Sequence, residues 1–170
     1  IGYYTLISSG VRFVSLYCVN HIPRSWVSRN RILVNGQPNT FPMPLEQASQ
    51  NKYICDISIS PEIEKWRKSF LRTLELNYKK APFFAQTFDL VTKLLNQATG
   101  NLADFLLLCI KTTMEYLAID TELIDSSRAY DNRRLSGSER ILDICRLEQA
   151  GEYINAPGGT NLYDHAQFAA

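Results

Sequence analysis

Leu102, Phe105, Leu106, Leu108, Cys109, Ile110, Met114 and Leu117 recur so closely between Asn101 and Ile119 that a helix there keeps almost no polar side. A helix apolar nearly all round has to lie inside a core. This stretch therefore demands other elements to wrap it, and Cys109 reads as an inert packing thiol. The apolar run Leu102–Ile110 is too short to cross a bilayer and ends at Lys111. The wrapping elements are readable just upstream. Pro61 stands where a first helical turn favours proline. Beyond it Ile63, Trp66, Phe70, Leu74 and Asn77 recur at three- and four-residue spacing, with Glu64, Lys65, Arg67, Lys68, Arg72 and Glu75 on the other face. Pro82 breaks that helix; a second runs from about Phe84 to Gln97, and Gly100 precedes the third.

The flanks carry strand signals. Tyr3–Ser9 reads as a helical turn or two stopping at Gly10, and Val11–Leu16 as a buried strand. Tyr17–Asn30 is too polar to be regular and reads as a long loop. Arg31–Asn35, a Gly36-Gln37 turn and Asn39–Leu45 predict a hairpin, with Pro42 and Pro44 confining its second strand to an edge. A polar link, Glu46–Lys52, leads to a strand at Tyr53–Ser60. Downstream, Thr121–Ser126 predicts a strand, and Ser136-Gly137-Ser138-Glu139 a capping box for a helix through Gln149. Glu152–Asn155 predicts another strand before Ala156-Pro157-Gly158-Gly159. Strand, helix, strand implies a parallel pair with a right-handed crossover. The expectation is one mixed α/β domain over residues 1–170: a partly parallel sheet, a β-hairpin insertion and flanking helices. With 45% apolar residues in 170, such a chain can build a core.

The formal net charge of +1 gives no global field to recruit nucleic acid or an anionic membrane, so any anion site must be local. Four scattered cysteines, with no CxxC pair, suggest neither a zinc site nor a disulfide framework, and a cytoplasmic protein with reduced thiols is expected. No cleavable secretion signal, P-loop, G-x-S-x-G or H-E-x-x-H is found, and the aspartates have no cluster spacing; no cofactor or metal is expected. The opening Ile1-Gly2-Tyr3 and the closing His165–Ala170 suggest a piece of a longer protein.

The densest binding chemistry lies in Arg24-Ser25-Trp26-Val27-Ser28-Arg29-Asn30. Guanidinium forks and an amide match phosphate, carboxylate or sugar hydroxyls, and the indole offers a ring to stack on. An exposed hairpin with a solvated basic face would give the same pattern. In parallel sheets ligands collect beyond the carboxyl ends of strands. Those ends would bring Tyr17, Cys18 and Asn20, then Ser126, Ser127 and Arg128, and finally Asn155, Gly158 and Gly159. Two glycines after a strand let amides face an oxyanion, though an ordinary turn reads the same. Cys18 with His21 three residues on is a weak candidate for a thiolate nucleophile, against a buried thiol near a surface imidazole. Cys145 reads as a buried helix thiol.

Several stretches together resemble the WbqC-like protein family. They are Ile1-Gly2-Tyr3-Tyr4, Arg24-Ser25-Trp26-Val27-Ser28-Arg29-Asn30-Arg31-Ile32-Leu33-Val34-Asn35-Gly36, Ala48-Ser49-Gln50-Asn51-Lys52, Trp66 and Tyr78-Lys79-Lys80-Ala81-Pro82-Phe83-Phe84. Ser126-Ser127, Arg140-Ile141-Leu142-Asp143-Ile144-Cys145 and Tyr153-Ile154-Asn155-Ala156-Pro157-Gly158-Gly159 continue the match in order. The resemblance implies a cytoplasmic protein of surface-polysaccharide and O-antigen biosynthesis, lacking here the family's N-terminal strand and C-terminal portion. It also implies a transferase acting on a nucleotide-linked or carrier-linked amino sugar, by acyl or aminoacyl transfer. The family pattern carries an acidic pair where this chain has Tyr17-Cys18. On that ground the alternative is a non-catalytic module that binds a sugar nucleotide or a protein. In either case Arg24, Arg29 and Asn30 would hold phosphate or carboxylate, Trp26 would stack, and Ser126, Ser127, Asn155, Gly158 and Gly159 would complete the site. The partner is a small sugar nucleotide or carrier-linked substrate, with no nucleic acid and no membrane insertion.

Overall fold

A computed structural model describes residues 2–159, 163 and 165–168. In chain order the elements are α1 (Gly2–Ser8), β1 (Arg12–Val14), β2 (Arg29–Val34), β3 (Gln37–Pro42), β4 (Leu45–Glu46) and β5 (Ser58–Ile59). Then follow α2 (Ile63–Tyr78), α3 (Phe84–Asn96), α4 (Leu102–Tyr116), β6 (Glu122–Ile124), α5 (Gly137–Leu147) and α6 (His165–Phe168). The class is mixed α/β, as the sequence implies. The strands form three two-stranded sheets: β1–β6 parallel, β2–β3 and β4–β5 antiparallel. The chain divides into two compact units, Val19–Ile110 and Ile1–Cys18 with Lys111–Ala170.

In the unit of residues 19–110, Ile59, Ile63, Leu95, Ala98 and Phe105 form a core, with Trp66, Phe70 and Cys109 packed against it. The three helices stand where the periodicity puts them, and burial pushes the Cys109 thiol up to about 11. The β2–β3 hairpin turns at Asn35-Gly36 rather than Gly36-Gln37. Both residues have positive φ, 52° and 77°, the combination a two-residue type I′ turn requires. Strand signal over Tyr53–Ser60 resolves into a 3-10 turn at Ile54–Asp56 and the two residues of β5. Asn101 explains part of that break, because its amide reaches into the turn to donate to the Cys55 carbonyl.

In the other unit α1 and β1 precede the pairing of β1 with β6, in register Arg12 to Glu122 through Val14 to Ile124. Thr121 Oγ1 donates to the Ile7 and Gly10 carbonyls and fixes the approach of β6. Three expectations fail here. β1 is shorter than Val11–Leu16 and not buried throughout, since Val11 is 91% exposed. Glu152–Asn155 is not a strand: these residues are exposed and take no place in any described sheet, so the crossover pair after β6 does not form. The parallel partner of β6 is β1, from the opposite end of the chain. Ser136 stands at the N-cap of α5 but its side chain caps no amide; the next residue, Gly137, sits at φ 53° and turns the chain away from capping geometry.

Candidate functional site

The carboxyl ends of β1 and β6 come together because the strands are parallel neighbours. The Ser15 N–H donates to the Ile124 carbonyl (3.0 Å), and the Ser127 N–H donates to the Ser15 carbonyl (2.9 Å). The Ser127 hydroxyl then accepts the Cys18 N–H at 3.3 Å. Cys18 and Ser127, from two of the strand ends named by the sequence, thus meet. The Ser126 hydroxyl accepts the Arg128 N–H and caps the 3-10 turn Ser127–Ala129.

Onto this junction α5 brings a residue that sequence reasoning missed. Arg140 is 5% exposed. Its Nη1 donates to the Cys18 carbonyl and its Nε to Asn132 Oδ1 at 3.2 Å, while Asn132 Nδ2 donates to the Asp143 carboxylate at 2.8 Å. Nη2 has no partner, and among the described residues no carboxylate lies within 4 Å of the guanidinium. The Ser15 hydroxyl, also buried, has no partner either. A buried guanidinium with a free N–H pair and no counter-charge is costly by several kcal/mol, and an oxyanion relieves that cost best. One signal was present in the sequence: Arg140 precedes the buried Ile144 by four residues and so shares its stripe of α5.

The opposite face of α5 borders a cavity of about 520 Å³. Leu142, Cys145, Arg146 and Gln149 line it from the helix, and Glu152, Tyr153, Asn155 and Gly159 from the segment that follows. Tyr163 and Phe168 close it: Tyr153 stacks on Phe168 (5.3 Å, 22°), and Tyr163 stands edge-on to both. Asn155, predicted at a strand end, is instead exposed, and Gly159 is buried at the end of a 3-10 turn over Pro157–Gly159. There the Gly159 N–H donates to the Ala156 carbonyl and Asn155 Oδ1 accepts the Ala156 N–H. Gly158 is exposed beside them. Burial raises the Cys145 thiol above its ordinary value, and burial next to Tyr163 raises the Tyr153 phenol. Cys145 is therefore a neutral thiol at pH 7, unsuited to nucleophilic attack.

The guanidinium-rich stretch lies in the unit of residues 19–110. Arg29 and Arg31 both stack on the Trp26 ring, at 5.3 and 4.9 Å from its centroid, and Trp26 is still 58% exposed. Arg24 is exposed at φ 60°, and Asn30 Oδ1 accepts the Arg31 N–H. His21 is buried with neither ring nitrogen bonded, and its N–H donates to the Lys52 carbonyl. Arg24, Trp26, Arg29 and Asn30 thus belong to one unit and Ser126, Ser127, Asn155, Gly158 and Gly159 to the other. Among the described residues no three His, Cys, Asp or Glu side chains are grouped to hold a metal, and no helix is long and apolar enough to cross a membrane.

An uncharacterised protein of Mycobacterium tuberculosis, Rv1507c, is similar at 26% identity over 170 residues, covering 98% of this chain and 71% of its own length. No solved structure matches. The WbqC-like protein family matches residues 1–170, the whole chain. The chain belongs to the WbqC-like family.

Proposed function

We propose that this protein acts in surface-polysaccharide (O-antigen) biosynthesis as a transferase, passing an acyl or aminoacyl group to a nucleotide-linked or carrier-linked amino sugar. In this reading Arg140, with the hydroxyls of Ser15 and Ser127, holds a phosphate of that substrate. The observation that carries it is the free, buried Nη2 of Arg140 at the carboxyl ends of the parallel pair. Ser127 is tied to the Ser15 carbonyl, but from Ala129 to Leu135 the backbone bonds are those of turns, so this segment is the part of the unit that can open to admit a ligand. Binding without turnover is favoured by one feature: Tyr17-Cys18 bring no carboxylate to the end of β1, and Cys18 is buried.

Thermal unfolding with inorganic pyrophosphate and with UDP-N-acetylglucosamine tests the reading. At a hundredfold excess over Kd the melting temperature rises by about 5–10 °C. Arg140→Met abolishes the rise. Ser15→Ala removes a hydroxyl with no partner in the free protein, so it keeps the unliganded melting point and lowers the rise. No rise with either ligand, or an equal rise in Arg140→Met, refutes the anion site. Binding of UDP-glucosamine with no acyl transfer from any activated donor selects the non-catalytic alternative.

A further inference from the structure

The cavity beside α5 is a separate site from Arg140. Leu142 follows Arg140 by two residues, about 200° round a helix, and Cys145 and Gln149 lie near the same azimuth as Leu142. The described lining carries one cation, Arg146, one carboxylate, Glu152, and the amides of Gln149, Asn155 and Gln167 beside an aromatic wall. That balance is wrong for a diphosphate, which wants clustered cations and amide N–H groups. It suits a ring with one apolar face and a rim of hydroxyls, and about 520 Å³ lies within the range of small-ligand sites.

We propose that this cavity binds the pyranose of an amino sugar, its C–H face against Tyr153 and Tyr163 and its ammonium group on Glu152. The assignment rests on the reading of the substrate as a sugar; it then says that sugar and phosphate are recognised on opposite faces of α5. Arg146, Gln149 and Asn155 supply donors and acceptors for the hydroxyls, and Gly159 leaves room for the Asn155 amide, because a Cβ there would stand 2.9 Å from Asn155 Cγ.

Cys145 reports occupancy directly. It lines the cavity, whereas Cys18 and Cys55 are buried and burial pushes the Cys109 thiol up to about 11. Alkylation of the full chain by N-ethylmaleimide at about pH 7, where an amino sugar still carries its ammonium, followed residue by residue with mass spectrometry, measures its accessibility. A monosaccharide of about a dozen heavy atoms binds in the millimolar range. With Kd near 10 mM, about 50 mM glucosamine slows Cys145 alkylation about sixfold. Glucose and N-acetylglucosamine, which lack the ammonium, protect at least about threefold less, and Glu152→Gln removes glucosamine's advantage. Glu152 is exposed, so this variant folds; retained burial of Cys18 and Cys55 confirms it. Unchanged Cys145 alkylation in glucosamine, or protection unaltered in Glu152→Gln, overturns the proposal. Inorganic pyrophosphate, which tests Arg140, leaves Cys145 alkylation unchanged if the two sites are distinct. Protection by pyrophosphate equal to that by glucosamine overturns the assignment as well. Glucosamine protection without any pyrophosphate-induced rise in melting temperature would keep this site and discard the phosphate site.

Discussion

Gly159 offers a prediction whose sign depends on one neighbour. Its φ lies outside the left-handed region, so alanine can adopt the backbone, and Gly→Ala at such a position stabilises by about 0.4–1 kcal/mol through the unfolded chain. The added Cβ, however, would lie 2.9 Å from Asn155 Cγ, 3.3 Å from Oδ1 and closer still to Nδ2. Asn155 must rotate away, giving up the bond its Oδ1 accepts from the Ala156 N–H (2.7 Å), worth about 0.5–1.5 kcal/mol. The two effects nearly cancel, so Gly159→Ala alone leaves stability unchanged or lowers it by about 0.5 kcal/mol. In Asn155→Ala the three atoms nearest the new Cβ are gone, and Gly159→Ala there stabilises by about 0.4–1 kcal/mol. The coupling is therefore about 0.5–1.5 kcal/mol, or roughly 1–6 °C in Tm for a chain of this size. Thermal unfolding of the four proteins, followed by circular dichroism, measures it. Additivity within about 0.3 kcal/mol would refute the reasoning, because the contact with Asn155 would then carry no energy.

Three further outcomes follow from other parts of the structure. Gly36→Ala, at φ 77° in the hairpin turn, costs about 1–2 kcal/mol and is read by urea unfolding; a neutral result would mean the turn is not type I′. The Glu148 carboxyl is held below its ordinary 4.5, first by the Tyr130 hydroxyl and then by Arg12. Stability from that shift is present above pH 4.5 and lost as pH falls through the folded-state value, so Glu148→Gln flattens the acid limb of a stability–pH curve; an unchanged limb would refute it. Arg29→Ala removes one of the two guanidiniums covering Trp26, exposes the ring further and red-shifts the Trp26 contribution to fluorescence. An unshifted emission maximum would refute the stacking.

Helices were legible because long three- and four-residue periodicity is decided locally: Ile63, Trp66 and Phe70 face one way whatever the tertiary partner. The last third misled for the opposite reason. Tyr153-Ile154 have β propensity, but a strand exists only where an edge accepts it, and this segment meets no described sheet; Tyr153 packs on Phe168 instead. The strand ends at Cys18 and Ser127 are legible, but the pairing is not: the expected partner of β6 was Glu152–Asn155, whereas β1 and β6 pair across 110 residues, Arg12 to Glu122. Arg140 went unread since an arginine on a helix is ordinarily solvated, and only coordinates reveal that its side chain is enclosed. The cavity could not be foreseen, because its wall joins Leu142 to Phe168 through packing rather than spacing.

Strands of three residues supply few hydrogen bonds, so the geometry of the Arg140 site cannot come from the β1–β6 pair alone. Side chains supply the rest. Arg12 reaches from β1 to Glu122 across the pair and to Glu148 just past α5, and Tyr130 donates to the same Glu148. One carboxylate thus ties the end of α5 to the strand and to the segment after β6. Toward the other end of the helix, Asn132 links Arg140 to Asp143 and holds the guanidinium plane. Arg140 is therefore positioned by bonds at both ends of α5, whereas its one unbonded nitrogen is left unsatisfied. The bonds made by Nε and Nη1 account for the anchoring of the side chain, and the N–H pair of Nη2 takes no part in it. That excess donor is the group on which the proposed anion site rests.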